Sequence, residues 1–285
     1  MSAAEARARY AERLASALRA PDPALHAAFA AVPREDFLGP PPWTLLATGP
    51  LPLVTHEPDD LYHDVLVVLD ADKNINNGSP SLHAMMLHRL DVRPGGRVLH
   101  VGAGTGYYTA ILAELVGPQG QVTAVEFDAA LAAAARKNLQ PWPQATVVHG
   151  DGAAYPTEPV DRIYVNFGLA DPADAWLDNL APGGVLILPL TAPASLHGNP
   201  RNGRGAMLVV TRTPEGFAAA LELQVGFVFA EGPTAGDAAL HAALRLAFDH
   251  GGESRVRSLH RGPLPPERCW IGTDRWSLGY DPPGV

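Results

Sequence analysis

The hydrophobic and polar positions along the middle of the chain predict a sheet of parallel strands. Short, nearly continuous apolar runs, which are typical of buried strands, alternate with longer segments whose apolar residues have helical spacing. The predicted strands occupy residues 96–102, 121–127, 145–150, 161–168 and 183–190, and the predicted helices between them occupy 107–117, 129–139 and 172–180. This alternation predicts an α/β fold with a doubly wound sheet of five parallel strands.

The pattern changes after residue 190. Two strand-like runs at 206–213 and 221–229 are separated only by a turn-like segment, which is too short for a crossover helix. We therefore expect a C-terminal pair of antiparallel strands next to the parallel ones. Residues 235–250 have helical spacing, whereas residues 251–285 show no clear periodicity.

The beginning of the chain predicts a helical N-terminal region. Helices are expected at 3–19 and 24–31, and three consecutive prolines, Pro40–Pro42, mark a turn-rich connection after them. The chain thus divides into a helical N-terminal region, a central domain with the doubly wound sheet and a C-terminal extension. These parts are predicted to occupy residues 1–90, 91–232 and 233–285.

Composition and charge narrow the functional classes. With 285 residues, 47% of them hydrophobic, the chain is able to bury a full core. A formal net charge of −9 argues against binding to nucleic-acid phosphates, and no apolar run suggests a signal peptide or a membrane span. The single cysteine, Cys269, excludes an internal disulfide and a cysteine-rich zinc site. We expect a cytoplasmic protein without metal, nucleic-acid or membrane partners, and the oligomeric state stays open.

A glycine-rich loop follows the first predicted parallel strand and opens the next helix. Gly102, Gly104 and Gly106 allow the backbone to turn sharply and to lie against a ligand. The hydride-transfer dinucleotide motif would need glycine at position 107, which is Tyr107. The G-x-G-x-G spacing instead resembles the S-adenosylmethionine loop of class I methyltransferases.

Two carboxylates fall at the ends of the next two predicted strands. Glu126 could accept hydrogen bonds from both ribose hydroxyls of a nucleoside, and Asp151, between two glycines, could accept from an adenine amino group. Each has an ordinary alternative, a solvated carboxylate for Glu126 and a plain turn for Asp151. Their joint placement at one sheet edge favours a nucleoside site. The predicted cofactor-binding residues are Gly102, Ala103, Gly104, Gly106, Tyr107, Glu126, Phe127, Asp151 and Gly152.

Four segments carry a resemblance to a known family. They are VPREDF (32–37), RVLHVGAGTGYYTAILAELVG (97–117), GDG (150–152) and LAPGGVLILPL (180–190). In this order and at this spacing they resemble the protein-L-isoaspartate O-methyltransferases, over about residues 25–230. The resemblance implies a Rossmann-like methyltransferase sheet, S-adenosyl-L-methionine as cofactor bound by residues 91–232, and methylation of the side carboxylate of an isoaspartyl residue in a peptide or protein.

The stretch INNGSPSL, residues 75–82, resembles the family's substrate loop with altered residues. When the family's Thr-Ile-Ser-Gln-Pro pattern is aligned on Pro80, its serine falls on Gly78. Asn77, with its amide, and Ser79, with a displaced hydroxyl that Ser81 could supply instead, are therefore the candidate catalytic groups of the loop, although Ser79 is equally suited to capping the helix that Pro80 would begin. Asn166, after the fourth parallel strand, is a third candidate, or a turn cap. The residue two before the glycine loop, usually acidic in methyltransferases, is His100.

The chemistry implied by the family needs no general base, because a carboxylate acceptor is already ionised at neutral pH. The leading hypothesis is methylation of an Asp or isoaspartyl carboxylate, in which the substrate could be a biosynthetic peptide. Methylation of a small molecule by the same fold stays open, since fold does not determine the substrate. A non-catalytic S-adenosylmethionine-binding protein is the third possibility.

Overall fold

The computed structural model describes residues 2–46, 51, 53–193, 202–230 and 233–284. The chain forms two compact units, residues 1–151 and 152–285. The boundaries after residues 90 and 232 that the sequence suggests stay a prediction. No helix in the described ranges is long and apolar enough to cross a membrane.

The helices lie close to their predicted positions. Several helices of the first unit begin after a residue whose side chain caps them, such as Ser2, which forms a reciprocal capping box with Glu5 before the first helix. The helices are α1 (Ala3–Ser16), α2 (Pro23–Ala31), α3 (Pro58–Leu61), α4 (Pro80–Leu90), α5 (Tyr107–Val116), α6 (Ala129–Asn138), α7 (Asp174–Asp178) and α8 (Ala238–His250). Among them, only the single-turn helix α3 has no counterpart in the sequence prediction.

The N-terminal region is not simply helical, and this part of the fold prediction was wrong. It contains a four-stranded antiparallel sheet whose strands are β1 (Trp43–Leu46), β2 (Val54–Thr55), β3 (Leu66–Asp70) and β4 (Ile75–Asn76), in the order β2-β1-β3-β4. Its core contains Leu38, Trp43, Leu45, Leu61, Val65 and Val67. Strands β2 and β4 have two residues each, too few for a pattern, and the sequences of β1 and β3, WTLL and LVVLD, do not alternate strictly, which explains why the sequence did not predict the sheet.

A buried arginine holds the segment that leads into β3. Arg34, in a short 3₁₀ turn at Arg34–Phe37, is fully buried. Its guanidinium donates hydrogen bonds to the carbonyl oxygens of Leu61, His63 (3.2 Å) and Val65 (2.6 Å). A planar cation with several donors can satisfy three carbonyls of an irregular segment at once, so Arg34 fixes the entry into the β3–β4 hairpin.

The remaining strands of the first unit form the predicted parallel arrangement. They are β5 (Arg97–Val101), β6 (Gln121–Glu126) and β7 (Ala145–His149), paired in the order β5-β6-β7. Helix α5 connects β5 to β6, and α6 connects β6 to β7. The carboxyl ends of all three strands therefore meet at one edge, which confirms the predicted α/β alternation here and provides a ligand-binding edge.

The second unit combines parallel and antiparallel pairing. Its strands are β8 (Val160–Val165), β9 (Leu180–Pro193), β10 (Asn202–Thr213), β11 (Gly216–Val228), β12 (Ser258–Arg261), β13 (Cys269–Gly272) and β14 (Trp276–Gly279). Strands β8 and β9 are parallel, and the antiparallel pair expected after residue 190 is present as β10 and β11.

The last 35 residues have more regular structure than their sequence suggests. Strand β12 pairs with β11, and β14 lies between β12 and β13. The side chains of Trp270, Trp276 and Leu278 are buried, so this segment contributes to the core of the second unit. Strands β12, β13 and β14 have four residues each, the shortest length at which a periodic pattern can be recognised.

Candidate active site

The glycine loop adopts a backbone that requires glycine. Gly102, Gly104 and Gly106 all have positive φ angles, of 77°, 57° and 98°. Gly106 is the N-cap of α5, and the amides of Gly102 and Ala103 donate to the carbonyl of Val125 on the neighbouring strand, at 2.9 and 3.2 Å. A Cβ at Gly104 would meet only the Leu69 side chain, at 3.8 Å, so open space lies above the loop.

Glu126 lies directly against this loop, as the sequence predicts. One carboxylate oxygen accepts a hydrogen bond from the Gly104 amide at 2.7 Å, and the other accepts from the Asp128 amide at 2.9 Å. Burial raises the pKa of the Glu126 carboxyl, and the backbone amides of Asp128 and Gly104 partly oppose that effect. Because each carboxylate oxygen can accept a second hydrogen bond, Glu126 can still receive two ligand hydroxyls.

The side chains of the other predicted cofactor residues in the first unit differ in how exposed they are to a ligand. Phe127 is 61% exposed, next to Glu126, and so presents a free aromatic face. Asp151 follows β7 and is partly exposed, and the neighbouring Gly150 amide donates to the Glu126 carbonyl at 3.0 Å. The Tyr107 ring is buried and packs against Phe37 at a centroid distance of 5.6 Å, so a ligand in the loop meets the backbone of Tyr107 rather than its ring.

Two predicted residues belong to the second unit. Gly152 is buried, and its carbonyl accepts a hydrogen bond from the Trp176 indole nitrogen at 3.0 Å. Asn166 directly follows β8 and is partly buried. Their roles toward cofactor and substrate stay predictions.

His100 is an internal support rather than a ligand-facing group. The side chain is fully buried on β5, and its Nδ1 lies 2.8 Å from the Thr109 hydroxyl on α5. Burial lowers the pKa of His100 to about 3, so the imidazole is neutral at physiological pH. The position that is acidic in many methyltransferases therefore carries an uncharged link between β5 and α5.

The glycine at position 78 is required by its surroundings. Gly78 has a φ of 75°, and a Cβ there would overlap Nε2 of His83 and lie 2.8 Å from its Cδ2. The His83 ring is fully buried and stacks on Tyr108 with a centroid distance of 3.7 Å. The sequence pattern does not reveal this contact, because the close approach of positions 78 and 83 depends on the left-handed turn at Gly78.

Asn77 fixes residues 75–82 to strand β3; we call these residues the acceptor loop, after the family's substrate loop that they resemble in sequence. Its backbone amide donates to the Val67 carbonyl at 3.0 Å, and its side-chain oxygen accepts from the Val67 amide at 2.8 Å. The residue is 7% exposed, and its side-chain nitrogen finds no hydrogen-bond partner among the described residues. The side-chain oxygen of Asn77 therefore holds the residue in place, and its buried side-chain nitrogen stays available to donate a hydrogen bond to a ligand.

Ser79 is already engaged at the start of α4. Its hydroxyl accepts from the Leu82 amide at 3.4 Å, as an N-cap does, and donates to an Asp64 carboxylate oxygen at 3.0 Å. Asp64 also accepts from the amide and the hydroxyl of Ser81, at 3.0 and 2.6 Å. These contacts favour the capping interpretation of Ser79. They also show that Asp64, which precedes β3, holds the start of α4 in place, a role that the sequence alone did not identify.

Comparison with known proteins links this geometry to one family. Residues 53–202 match the family model described as protein-L-isoaspartate(D-aspartate) O-methyltransferase. The chain is 40% identical over 156 residues to the protein-L-isoaspartate O-methyltransferase of Methanopyrus kandleri, which covers 51% of this chain and 68% of that protein. It is 33% identical over 171 residues to the enzyme of that name from Ignicoccus hospitalis, with 59% and 76% covered.

Solved structures show that the fold is shared. One protein-L-isoaspartate O-methyltransferase structure aligns with a TM-score of 0.64 and 21% identity, covering 97% of this chain and 88% of the other. A Plasmodium falciparum protein provisionally given the same name, solved in complex with S-adenosyl-L-homocysteine, aligns with a TM-score of 0.58 and 18% identity, covering 78% of this chain and 96% of that one.

Proposed function

Because this chain belongs to the protein-L-isoaspartate O-methyltransferase family and is an S-adenosylmethionine-dependent methyltransferase, we propose that it methylates a carboxylate of an aspartyl or isoaspartyl residue in a peptide or protein. The observation that carries the proposal is the hydrogen bond between the Glu126 carboxylate and the amide of Gly104, which places an acidic acceptor beside an open glycine loop. The acceptor loop belongs to the same compact unit.

The residues of the first unit fit a nucleoside cofactor. Open space above Gly104 leaves room for a ligand against the backbone, Glu126 supplies acceptors for ribose hydroxyls, and the exposed ring of Phe127 offers a flat apolar surface. Asp151, at the same edge of the sheet, could accept from an amino group. We therefore propose Gly102, Gly104, Glu126, Phe127 and Asp151 as the groups that hold S-adenosylmethionine.

The protein's part in the reaction is to position and shield the acceptor. When bound, S-adenosylmethionine supplies a methyl group activated by its positively charged sulfur. An acceptor carboxylate is ionised at neutral pH, so the chain has no proton to remove. What the chain can contribute is orientation and exclusion of water. In this proposal the Asn77 side-chain nitrogen donates a hydrogen bond to the acceptor carboxylate. The hydrogen bond from the Val67 amide to the Asn77 side-chain oxygen holds the side chain in position.

The altered loop supports an acceptor other than an ordinary isoaspartyl peptide. The family's serine position is Gly78, and the His83 ring occupies the space where a side chain would begin. A hydroxyl at that position is therefore absent, and Ser79 is committed to Asp64 and the helix cap. We propose a peptide with an Asp residue, such as a biosynthetic precursor, as the preferred substrate.

A panel of acceptors tests this proposal. We expect labelled methyl transfer from S-adenosylmethionine to Asp-containing peptides, with isoaspartyl peptides at least about tenfold slower, the loss associated with one or two missing hydrogen bonds. Asn77→Ala should lower turnover with the true acceptor. Ser79→Ala should mainly cost about 0.5–2 kcal/mol of stability, through the lost cap.

The panel separates the competing functions. Ser81→Ala serves as the control variant, because Ser81 also donates to Asp64 but does not cap the helix. Fast isoaspartyl methylation that is insensitive to Asn77→Ala would show that the loop has been misread and that repair is the activity. Transfer to small acids alone would support a small-molecule methyltransferase, and cofactor binding without transfer to any acceptor would contradict the proposal.

Replacing Glu126 with alanine is expected to weaken S-adenosylhomocysteine binding by about 1.5–3 kcal/mol, the range for charge-assisted hydrogen bonds. Two effects contribute to this loss of affinity: the variant removes two acceptors for the ligand, and it leaves the Gly104 amide without its hydrogen-bond partner. Isothermal titration calorimetry measures the effect. Glu12→Ala, at an exposed carboxylate on α1, should bind normally, and equal affinity in both variants would contradict the assignment of Glu126.

A further inference from the structure

The β3–β4 hairpin reaches from the acceptor loop to the cofactor-binding edge. Strand β4 continues directly into Asn77 and Gly78, while the Leu69 side chain on β3 would lie 3.8 Å from a Cβ at Gly104. At the turn of the hairpin, the Lys73 ammonium forms an ion pair with the Asp128 carboxylate. We call this ion pair the Lys73–Asp128 clasp.

The turn is built to present Lys73. The Asp70 carboxylate accepts a hydrogen bond from the Lys73 amide at 3.0 Å, and the next residue, Asn74, has a φ of 57°. The Lys73 ammonium also lies 3.6 Å from Asp70, so the acidic side chain at the end of β3 supports the turn and partly neutralises the cation. Lys73 is one of only two lysines in the chain, the other being Lys137.

Asp128 connects the clasp to the cofactor-binding edge. One oxygen caps α6 by accepting from the amides of Ala130 and Leu131, at 2.9 and 3.0 Å, and the other oxygen receives Lys73. The Asp128 amide donates to Glu126, whose other oxygen accepts from Gly104. A continuous series of contacts therefore runs from Lys73 through Asp128 and Glu126 to the glycine loop.

We propose that Lys73 is a positioning residue whose clasp on Asp128 ties the acceptor loop to the cofactor site, so that the hairpin retains bound cofactor and holds Asn77 in place. The inference rests on the proposed function for its account of the acceptor. The hairpin contributes Leu69 beside Gly104 and, through Val67, holds Asn77, so a contact that fixes its turn restricts both the departure of cofactor and the movement of Asn77.

Lys73→Met tests the clasp, since methionine keeps an apolar stem of similar length without the charge. Dissociation of S-adenosylhomocysteine, followed by stopped-flow, should become about two- to fivefold faster, the range that corresponds to an exposed ion pair. The melting temperature should change little. Asp128→Asn should have the same effect, because asparagine still caps α6, and the double variant should be no worse than either single one.

Matched variants separate the clasp from a general loss of charge. Lys137→Met removes the other lysine, at the end of α6, and should leave dissociation unchanged. Lys73→Arg should restore slow dissociation. The difference between Lys73→Met and the unaltered protein should also vanish near 1 M salt, where the Debye length falls to about 3 Å.

Hydrogen exchange provides a measurement that does not require cofactor or acceptor. In the ligand-free protein, Lys73→Met should speed exchange of the Asn77 amide, which donates to Val67, while Lys137→Met should not. Unchanged exchange and dissociation in Lys73→Met would overturn the clasp, as would additive effects in the double variant. Because neither measurement involves methyl transfer, failure of the acceptor panel would refute the proposed substrate and leave the clasp to be judged on these results.

With an active acceptor, the clasp also predicts a particular kinetic pattern. Lys73→Met should raise the KM for the peptide by about two- to fivefold while kcat stays close to that of the unaltered enzyme, because Lys73 acts through the loop and not on the reacting atoms. A fall in kcat with unchanged KM would contradict a positioning role.

Discussion

Gly104→Val is expected to abolish measurable binding of S-adenosylhomocysteine, with an affinity loss of at least about 100-fold, or about 2.7 kcal/mol. The valine side chain would occupy the open space above the loop, where only Leu69 lies within 4 Å of a Cβ. A β-branched residue is also strained at the φ of 57° found here, and a shift of the loop would disturb the hydrogen bond from the Gly104 amide to Glu126. Isothermal titration calorimetry measures the loss directly.

In Gly104→Val, the effect of backbone strain has to be separated from the effect of filling the space for the ligand. Gly95→Val provides the control, because Gly95 also has a positive φ, of 77°, and a Cβ there would meet no atom within 4 Å. Gly95→Val should lose about 1–3 kcal/mol of stability and still bind S-adenosylhomocysteine normally. Normal binding by a folded Gly104→Val protein would mean that the cofactor does not lie over this loop.

The cofactor side of the site could be predicted from sequence because it depends on local rules. Parallel strands bring their carboxyl ends to one edge, so a glycine loop after β5 and an acid at the end of β6 must approach each other. The observed contact between Gly104 and Glu126 follows from that topology. Tyr107 illustrates the limit of the reasoning: its place in the loop was evident, but the aromatic neighbours that bury its ring come from distant positions such as Phe37.

The N-terminal sheet could not be predicted from its own pattern of apolar and polar positions, because contacts with residues distant in the sequence stabilise it. Strand β4 has two residues, and the segment before β3 is fixed by the buried Arg34 through carbonyls 27 to 31 positions away. An arginine in the sequence VPREDF gives no sign that it will be buried, since arginine is usually exposed. The sheet that positions the acceptor loop therefore depends on a non-local polar contact that periodicity cannot detect.

The acceptor loop shows the same limit at a single residue. Alignment on Pro80 identified the missing serine at position 78, and the turn-prone Asn77-Gly78 pair is consistent with the positive φ that the structure shows. What alignment could not give is the reason that serine is excluded. That reason is the His83 ring, which is held in its place by stacking on Tyr108.

Restoring the family's serine with Gly78→Ser is expected to damage the protein instead of raising its isoaspartyl activity. The positive φ should cost about 1–3 kcal/mol, and the overlap of the new Cβ with the buried His83 ring about 1–3 kcal/mol more. The loss would appear in chemical denaturation as a lower midpoint. Methyl transfer to isoaspartyl peptide should not rise, because the buried His83 ring leaves no space for the new side chain, and a shift of the backbone at position 78 would disturb the neighbouring Asn77, which is bonded to Val67.

Two comparisons separate strain from overlap. Gly39→Ser introduces serine at a φ of 70° with no atom within 4 Å of the new Cβ, so it should show the backbone cost alone. In a His83→Ala background, Gly78→Ser should cost less than it does beside the intact ring, and the difference measures the overlap in a double-mutant cycle. If Gly78→Ser instead keeps the stability of the unaltered protein and gains isoaspartyl methylation, the His83 ring must be able to turn aside. Position 78 would then be a simple site of substrate specificity, and neither the His83 ring nor the left-handed turn would exclude serine from this loop.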